Sequence, residues 1–252
     1  MLRFDPDRDA IINPNDLVAK IPNFPETVIS CFERKTSSNF LDSVEHEEIA
    51  RTSTANLEIP IYRYWYKGKA FVCFNSYVGS AACVAILEDL IAMGMKNLVI
   101  FGTCGVLDRS IKETSIIIPT HAFRDEGTSY HYAEKSQEIS LNHTIQKRFK
   151  SFLEHREISY IEGKVWTTDA IYRETSGKLE YFKNKGAICV DMECSAVAAL
   201  CQFREIQHLH FFYSADNLDN EKWEARSLGN TIDSAKKHRI SQLAKEFADE
   251  IF

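Results

Sequence analysis

The sequence predicts an α/β layered fold with a mainly parallel sheet, and three observations support this prediction. Short, fully apolar segments such as residues 98–101 and 187–192 are typical of buried strands. Segments with helical periodicity lie between them, most clearly residues 81–93. The 252 residues also show no linker and no internal repeat. We therefore expect one domain over residues 1–252 rather than two smaller ones.

Composition and charge exclude several classes of protein. The hydrophobic fraction of 44% and the charged fraction of 26% are those of an ordinary globular protein. A formal net charge of −6, with no dense basic run, argues against a nucleic-acid partner. No apolar segment is long enough to cross a membrane, and the N-terminus lacks the apolar region of a signal peptide. A cytoplasmic location without a membrane partner is expected.

The cysteines indicate buried thiols rather than a disulfide framework or a zinc site. Seven are present, which is an odd number, and no two stand in C-x-x-C spacing. Most lie inside apolar runs, where a free cysteine behaves as a small hydrophobic residue. This usage suits a reducing compartment, and no metal site is expected.

The first third of the chain contains the signals of a hairpin and a helix. Residues 1–30 are rich in Pro, Asn and Asp and are predicted to form an irregular entry with short turns. Residues 59–65 and 70–74 are predicted strands, joined by a turn at 66–69. The apolar residues from 81 to 93 favour a largely buried helix that ends at Gly94.

The remaining elements alternate between strand and helix. Strands are predicted at residues 98–101, 115–119, 187–192 and 209–213. A helix is predicted over residues 193–203. A second helix is predicted at the C-terminus, because one helical face carries Ile240, Leu243, Phe247 and Ile251. In sheets of this kind, ligands bind beyond the carboxyl ends of the strands, so these ends are where functional residues are sought.

Two predicted strand ends are rich in glycine. In residues 76–80 (SYVGS), Gly79 permits a tight turn and a close approach of a ligand to the backbone. In residues 102–105 (GTCG), two glycines around a hydroxyl side chain predict a backbone nest that suits phosphate. A plain turn explains either segment as well. Neither is a P-loop or a dinucleotide fingerprint.

Two other strand ends carry acids. In residues 190–193 (VDME), Asp191 and Glu193 close an apolar strand, which indicates either an active site or a helix cap. In residues 214–217 (SADN), Asp216 is a candidate general acid, and an Asx-turn is the alternative. Residues 124–132 and 166–173 mix polar and aromatic side chains and suit contact with a ligand or a second subunit.

Taken in order, these segments resemble the family of purine nucleoside phosphorylases and uridine phosphorylases. The resemblance covers residues 59–245, and its matching segments are 102–105, 124–132, 167–173, 190–195 and 214–217. It implies a single-domain three-layer fold with a central mixed, mostly parallel sheet flanked by helices. It also implies a homodimer or homohexamer, no metal, no cofactor, and a nucleoside and phosphate as substrates.

The resemblance assigns roles residue by residue. Glu193 matches the glutamate that accepts hydrogen bonds from the ribose hydroxyls, and Met192 matches the methionine that packs on the sugar. Thr103, with Gly102, matches the phosphate turn. Asp216 matches the acid that protonates the leaving base in purine enzymes, which favours purines over uridine.

Three further positions are expected at the substrate. Asp191 and Gly79 are placed there by their neighbours in the motifs. Ile171 stands where the family often has a base-stacking Phe, and Tyr172 beside it is a candidate substitute.

The phosphate side departs from the family. The N-terminal phosphate clamp is absent from residues 29–35, and Ile100 stands where a second phosphate arginine is usual. Arg51 and Arg124 are the candidates to replace them. The preferred interpretation is a purine-leaning nucleoside phosphorylase. Uridine phosphorylase, a hydrolytic nucleosidase that uses water, and a non-catalytic nucleoside sensor are the alternatives.

Overall fold

One mixed sheet of ten strands runs through the computed structural model, which describes residues 4–219, 222–228 and 234–252. The strands are β1 (Thr27–Cys31), β2 (His46–Thr54), β3 (Leu57–Tyr66), β4 (Lys69–Asn75), β5 (Asn97–Val106), β6 (Ile116–Asp125), β7 (Glu138–Ser140), β8 (Tyr160–Thr168), β9 (Ala187–Asp191) and β10 (Gln207–Asn217). The helices are α1 (Pro14–Leu17), α2 (Arg34–Asp42), α3 (Ser80–Met93), α4 (His143–Glu154), α5 (Ser176–Asn184), α6 (Cys194–Arg204) and α7 (Ser234–Ile251). Short 3₁₀ helices cover Thr128–His131 and Ile171–Arg173.

Strand β5 lies at the centre of the sheet. It pairs in parallel with β1 and with β10, and its last residues pair antiparallel with β9. The strand order is β10-β6-β8-β9-β5-β1-β4-β3-β2, and β10 returns to β5, so five strands close into a ring. The carboxyl ends of β5, β9 and β10 therefore meet at one point.

Helices cover both faces of the sheet, which confirms the three-layer α/β prediction. On one face Phe40 of α2, Phe149 of α4 and Phe247 of α7 pack over the strands. On the other face α3 and α6 pack together, through side chains such as Leu87 and Leu200. The strands supply alternate residues to each face, as extended backbone requires.

The predicted hairpin and buried helix are confirmed. Strands β3 and β4 pair antiparallel, and the turn between them places Lys67 and Gly68 at φ values of 48° and 78°. Helix α3 ends at Gly94, whose φ of 134° favours glycine. The C-terminal helix is confirmed as α7.

Three local predictions are wrong. The irregular segment does not extend over residues 1–30, because β1 begins at Thr27 and is fully buried between β4 and β5. Residues 102–105 form no nest, since they continue β5 and pair with β10. Residues 214–217 likewise form no Asx-turn at a strand end; they continue β10, with a bulge between Ser214 and Asp216.

All seven cysteines are buried and free, as predicted. Within the described residues, no helix combines the length and the apolar character needed to cross a bilayer.

Candidate active site

A cavity of about 230 Å³ opens where β5, β9 and β10 end. It lies at the strand ends where the sequence predicted a ligand site. The predicted site residues that line it are Thr103, Ile171, Asp191, Met192, Glu193 and Asp216. The other lining residues are Phe32, Val78, Cys104, Gly105, Glu174, Val190, Phe212 and Leu228.

Glu193 lies between β9 and α6 and lines the cavity. Its Oε1 accepts a hydrogen bond of 2.5 Å from the backbone N–H of Gly79, which precedes the first turn of α3. Burial and the negative charge of Asp191 raise the pKa of Glu193 to about 8. A carboxyl group with a raised pKa in a cleft is a common feature of active sites.

Asp191 is held by the protein rather than presented to a ligand. Its Oδ1 accepts a hydrogen bond of 2.7 Å from the hydroxyl of Thr167. Its Oδ2 accepts hydrogen bonds of 2.9 and 2.7 Å from the backbone N–H groups of Glu193 and Cys194. Burial raises the pKa of Asp191 to about 6. The three hydrogen bonds favour the ionised form and oppose this rise. Asp191 therefore caps α6, whereas Glu193 lines the cavity and its active-site role stays a prediction.

A chain of buried hydrogen bonds supports Asp191 from behind. Thr167, its partner on β8, accepts a hydrogen bond of 3.1 Å from the backbone N–H of Ser195. The Ser195 hydroxyl donates to Oε1 of Glu126 at 2.9 Å. Sequence reasoning did not single out Glu126, although it lies in the polar segment 124–132 that was noted for its composition.

The turn before α3 is bonded to the turn before α6. The Ser80 hydroxyl donates a hydrogen bond of 2.6 Å to the carbonyl of Met192. Gly79 has a φ of 103°, which favours glycine and explains its place in this turn. Its N–H is directed at Glu193, so Gly79 positions that carboxyl group and does not itself line the cavity.

Asp216 lies on β10 and lines the cavity. Its Oδ2 accepts a hydrogen bond of 2.8 Å from the indole N–H of Trp223. Burial raises the pKa of Asp216, and this hydrogen bond opposes the rise. Trp223 was missed from the sequence because a single tryptophan in a polar segment carries no periodic signal.

The 3₁₀ helix at Ile171–Arg173 supplies another wall of the cavity. Ile171 lines the cavity, as the resemblance predicted. Tyr172 does not substitute for a stacking Phe, because its side chain is 94% exposed and lies outside the lining. Glu174 lines the cavity instead, although the sequence analysis did not select it.

The structure brings only part of the predicted phosphate site to the cavity. Thr103 lines it, whereas Gly102 packs against Phe32: a Cβ added at Gly102 would lie 2.7 Å from Phe32 Cδ2. Arg51 is on an exposed strand, where it pairs with Glu48 at 2.6 Å and with Glu58 at 3.2 Å. Within the single chain it does not line the cavity.

Arg124 is held by hydrogen bonds to residues of the loop that follows β6. Its guanidinium donates to the Ser129 hydroxyl at 2.8 Å, to the Glu134 carbonyl at 2.6 Å and to the Ser136 hydroxyl at 2.9 Å. It also stacks on the ring of Tyr130. These contacts tie the loop after β6 together, and Arg124 does not line the cavity of the single chain, so its assignment to phosphate stays a prediction.

One buried group in the described part of the chain has the side chains of a metal site. Ligand atoms of Asp191, Cys194 and His210 lie within 4.8 Å of one another. Asp191 already accepts three hydrogen bonds, and burial raises the pKa of the Cys194 thiol well above its ordinary value. We therefore assign these residues to the packing behind the cavity.

Solved structures with this fold include three related chemistries. A purine nucleoside phosphorylase of Toxoplasma gondii superposes with a TM-score of 0.76, at 20% identity over 90% of this chain and 92% of that one. A uridine phosphorylase of Vibrio fischeri also gives 0.76, at 20% identity over 93% and 99%. A futalosine hydrolase mutant of Helicobacter pylori gives 0.71, at 16% identity over 91% and 100%.

At such low identity these likenesses establish the fold alone. They do not establish which base is released or whether phosphate or water attacks the sugar. The sequence itself matches the model of the family described as the phosphorylase superfamily over residues 32–248. This match spans most of the chain and includes every strand and helix that contributes to the cavity. The protein is therefore a member of the phosphorylase superfamily, whose enzymes are nucleoside phosphorylases and nucleosidases.

Proposed function

We propose that this protein hydrolyses the N-glycosidic bond of a purine nucleoside, with water in the place that phosphate has in a phosphorylase. One observation supports this most directly. Four acidic residues line the cavity, Glu174, Asp191, Glu193 and Asp216, and no Lys or Arg among the described residues does so.

An acidic cavity suits the transition state of glycosidic cleavage. As the bond to the base breaks, positive charge develops on the sugar, and fixed negative groups stabilise that charge. In this proposal Glu193 accepts hydrogen bonds from the sugar hydroxyls. The bonding electrons go to the base, which takes a proton from the acidic end of the cavity that contains Asp216. Water then adds to the sugar carbon and returns a proton to a carboxylate.

The same cavity is poorly suited to phosphate. A phosphate dianion is usually bound by Arg or Lys, each charge-assisted hydrogen bond contributing roughly 1.5–3 kcal/mol. Among the described residues, the cavity offers the Thr103 hydroxyl but no cationic side chain. Phe32 packs on Gly102, on the strand that the resemblance assigned to phosphate. Neutral water requires none of these charges.

Phosphorolysis is the second candidate function, and the position of Thr103 favours it. Its side chain lines the cavity on β5, as the resemblance to the phosphorylases implies. Arg51 is exposed, so in an oligomer it could reach the site of a neighbouring copy. Such an arrangement would restore one phosphate ligand.

The test is base release from adenosine, inosine and uridine, with and without added phosphate, and identification of the sugar product. We expect a free purine base and free pentose at rates that do not change with phosphate. Strict dependence on phosphate, with a pentose 1-phosphate product, would establish phosphorolysis instead. Saturable nucleoside binding without base release would indicate a sensor and contradict both enzymatic proposals.

A further inference from the structure

A second cavity, of about 470 Å³, lies between the loop that follows β6 and helix α5. The described residues that line it do not line the candidate active site, so the two cavities are distinct. Its volume falls within the roughly 300–1,000 Å³ that small-molecule sites occupy. Basic and aromatic side chains make up most of its lining, and they indicate what kind of ligand would fit.

Arg124 is the buried cation of this second cavity, and all its hydrogen-bond partners are neutral. Its side chain is 6% exposed. It donates to the hydroxyls of Ser129 and Ser136 and to the carbonyls of Ala133 and Glu134. These bonds use four of the five N–H groups of the guanidinium, and no carboxylate of the described residues is bonded to it. Because buried charges are normally paired, an anion in the cavity would supply the missing partner.

Two lysines add positive charge to the same cavity. Lys185 donates a hydrogen bond of 2.7 Å to the neutral amide oxygen of Gln137, and Lys135 is exposed. Neither lysine forms an ion pair within the part of the chain that the structure describes. Asp125, the acid of the described lining, is already paired with Lys178 at 2.7 Å. The cavity therefore has an excess of positive charge, which favours an anionic ligand.

An aromatic surface lies directly beside these cations. The rings of Phe123 and Phe182 are buried, with their centres 5.4 Å apart. Tyr181 is 49% exposed, so its ring is accessible to a flat group that stacks on it. The ammonium group of Lys185 lies 4.5 Å from the centre of the Tyr181 ring. A ligand that stacks on Tyr181 therefore has a cation within reach of any negative group it carries.

We propose that the second cavity binds a phosphorylated compound with a planar ring, of the class of nucleoside 5′-monophosphates. The phosphate lies among Arg124, Lys135 and Lys185, and the ring stacks on Tyr181. A phosphate suits three cations because it has three strong acceptor oxygens, whereas a carboxylate has two. The inference does not depend on the proposed function, since it concerns binding at residues that the proposed reaction does not use.

The lysines are better positions for a test than Arg124. Arg124 donates to the hydroxyl of Ser129, and the backbone N–H of Ser129 donates to Glu126 at 2.9 Å. Glu126 in turn accepts a hydrogen bond from Ser195, next to the candidate active site. A change at Arg124 would therefore disturb both cavities.

The experiment is calorimetric titration of adenosine 5′-monophosphate into the wild type and two double variants. Lys135→Gln/Lys185→Gln removes two cations from the cavity and should weaken binding by about tenfold or more, through the loss of charge-assisted hydrogen bonds. Lys20→Gln/Lys147→Gln is the matched control, because it changes the net charge equally at two exposed positions outside this cavity. The control should bind as the wild type does. No binding to the wild type, or equal binding to all three proteins, would refute the proposal.

Two further titrations test the ring and the location. Ribose 5-phosphate, which lacks the planar ring, should bind the wild type about tenfold more weakly than the nucleotide, and Tyr181→Ala should remove most of this difference. Equal binding of the two compounds to the wild type would contradict the planar-ring requirement. Glu193→Ala should retain nucleotide binding, because Glu193 lines only the other cavity. Loss of binding in Glu193→Ala would place the nucleotide in the candidate active site and overturn the proposal, whether or not the protein cleaves nucleosides.

Discussion

At the scale of single residues, the cavity contains acids that burial makes costly to ionise. Each has a different set of hydrogen-bond partners. Asp191 accepts three hydrogen bonds, Glu193 accepts one from Gly79, Asp216 accepts one from Trp223, and Glu174 has none among the described residues. Asp191 therefore acts as a helix cap, whereas the other three acids keep fewer hydrogen bonds to the protein.

The first prediction concerns Glu193. Glu193→Ala should lower kcat/KM for base release by about hundredfold or more, because the sugar hydroxyls lose the carboxyl group that is proposed to bind them. The fold should be retained, since the remaining cap of α6 is made by Asp191. Steady-state kinetics and circular dichroism of the variant would check both parts. Near-normal turnover by a folded Glu193→Ala protein would show that this acid does not hold the sugar.

At the scale of elements, β10 combines a functional end with an unusual interior. Asp216 lies near its end, and His208 and His210 lie buried further back on one side of the strand. Neither imidazole has a hydrogen-bond partner in the described part of the chain. Burial lowers the pKa of His208 to about 4 and that of His210 to about 3, so both are neutral in the folded protein at neutral pH.

The second prediction is a loss of stability in acid that depends on His208. Below its ordinary pKa near 6.5, the unfolded chain binds a proton that the folded protein does not accept until about pH 4. Stability should therefore fall as the pH falls through this window, by about 2 kcal/mol between pH 7 and pH 5 for this one residue. His208→Leu removes that contribution.

Urea unfolding of the wild type and of His208→Leu at pH 7 and pH 5 measures the effect. The variant should gain about 2 kcal/mol relative to the wild type on going from pH 7 to pH 5. Other groups, such as Glu193, titrate alike in both proteins and cancel in this comparison. A stability difference that is the same at both pH values would mean that His208 is not held in its neutral form.

The same elements show which features local sequence signals can predict. Helix α3 and the β3–β4 hairpin were predictable, because periodicity and turn residues act within a few positions. Residues 102–105 and 214–217 have turn-like composition, yet pairing between β5 and β10 keeps both extended. That pairing joins positions more than a hundred residues apart, so no local pattern reveals it.

The candidate site was predictable to a similar extent. Glu193 and Asp216 follow recognisable strand signals, and both line the cavity. Glu174 lines the cavity and Trp223 bonds to Asp216 from segments that have no periodicity. Arg124 was selected for its charge and loop position, which are visible in a sequence, whereas its hydrogen bonds to Ser136 and other loop groups are not.

At the scale of the whole molecule, one sheet connects every part of the cavity. Lining residues come from β5, β9 and β10, and from the segments after β1, β4 and β8. The ring formed when β10 returns to β5 couples strands from both halves of the sequence. Distortion of one strand would therefore move acids on the others. This coupling agrees with a single domain, which remains a prediction for the chain.

The third prediction is that the chain unfolds as one cooperative unit. Trp166 on β8 is fully buried in the half of the ring away from β1, so its fluorescence reports on that half. Far-ultraviolet circular dichroism reports on all the helices and strands together. Because the closed ring joins the halves, both signals should change at the same urea concentration, with a single slope. The variant Trp166→Phe provides the fluorescence control, since its remaining signal comes from Trp65 and Trp223, which are 38% and 61% exposed. Two separated transitions would show that the halves fold independently, and the division between them would then run through the cavity itself.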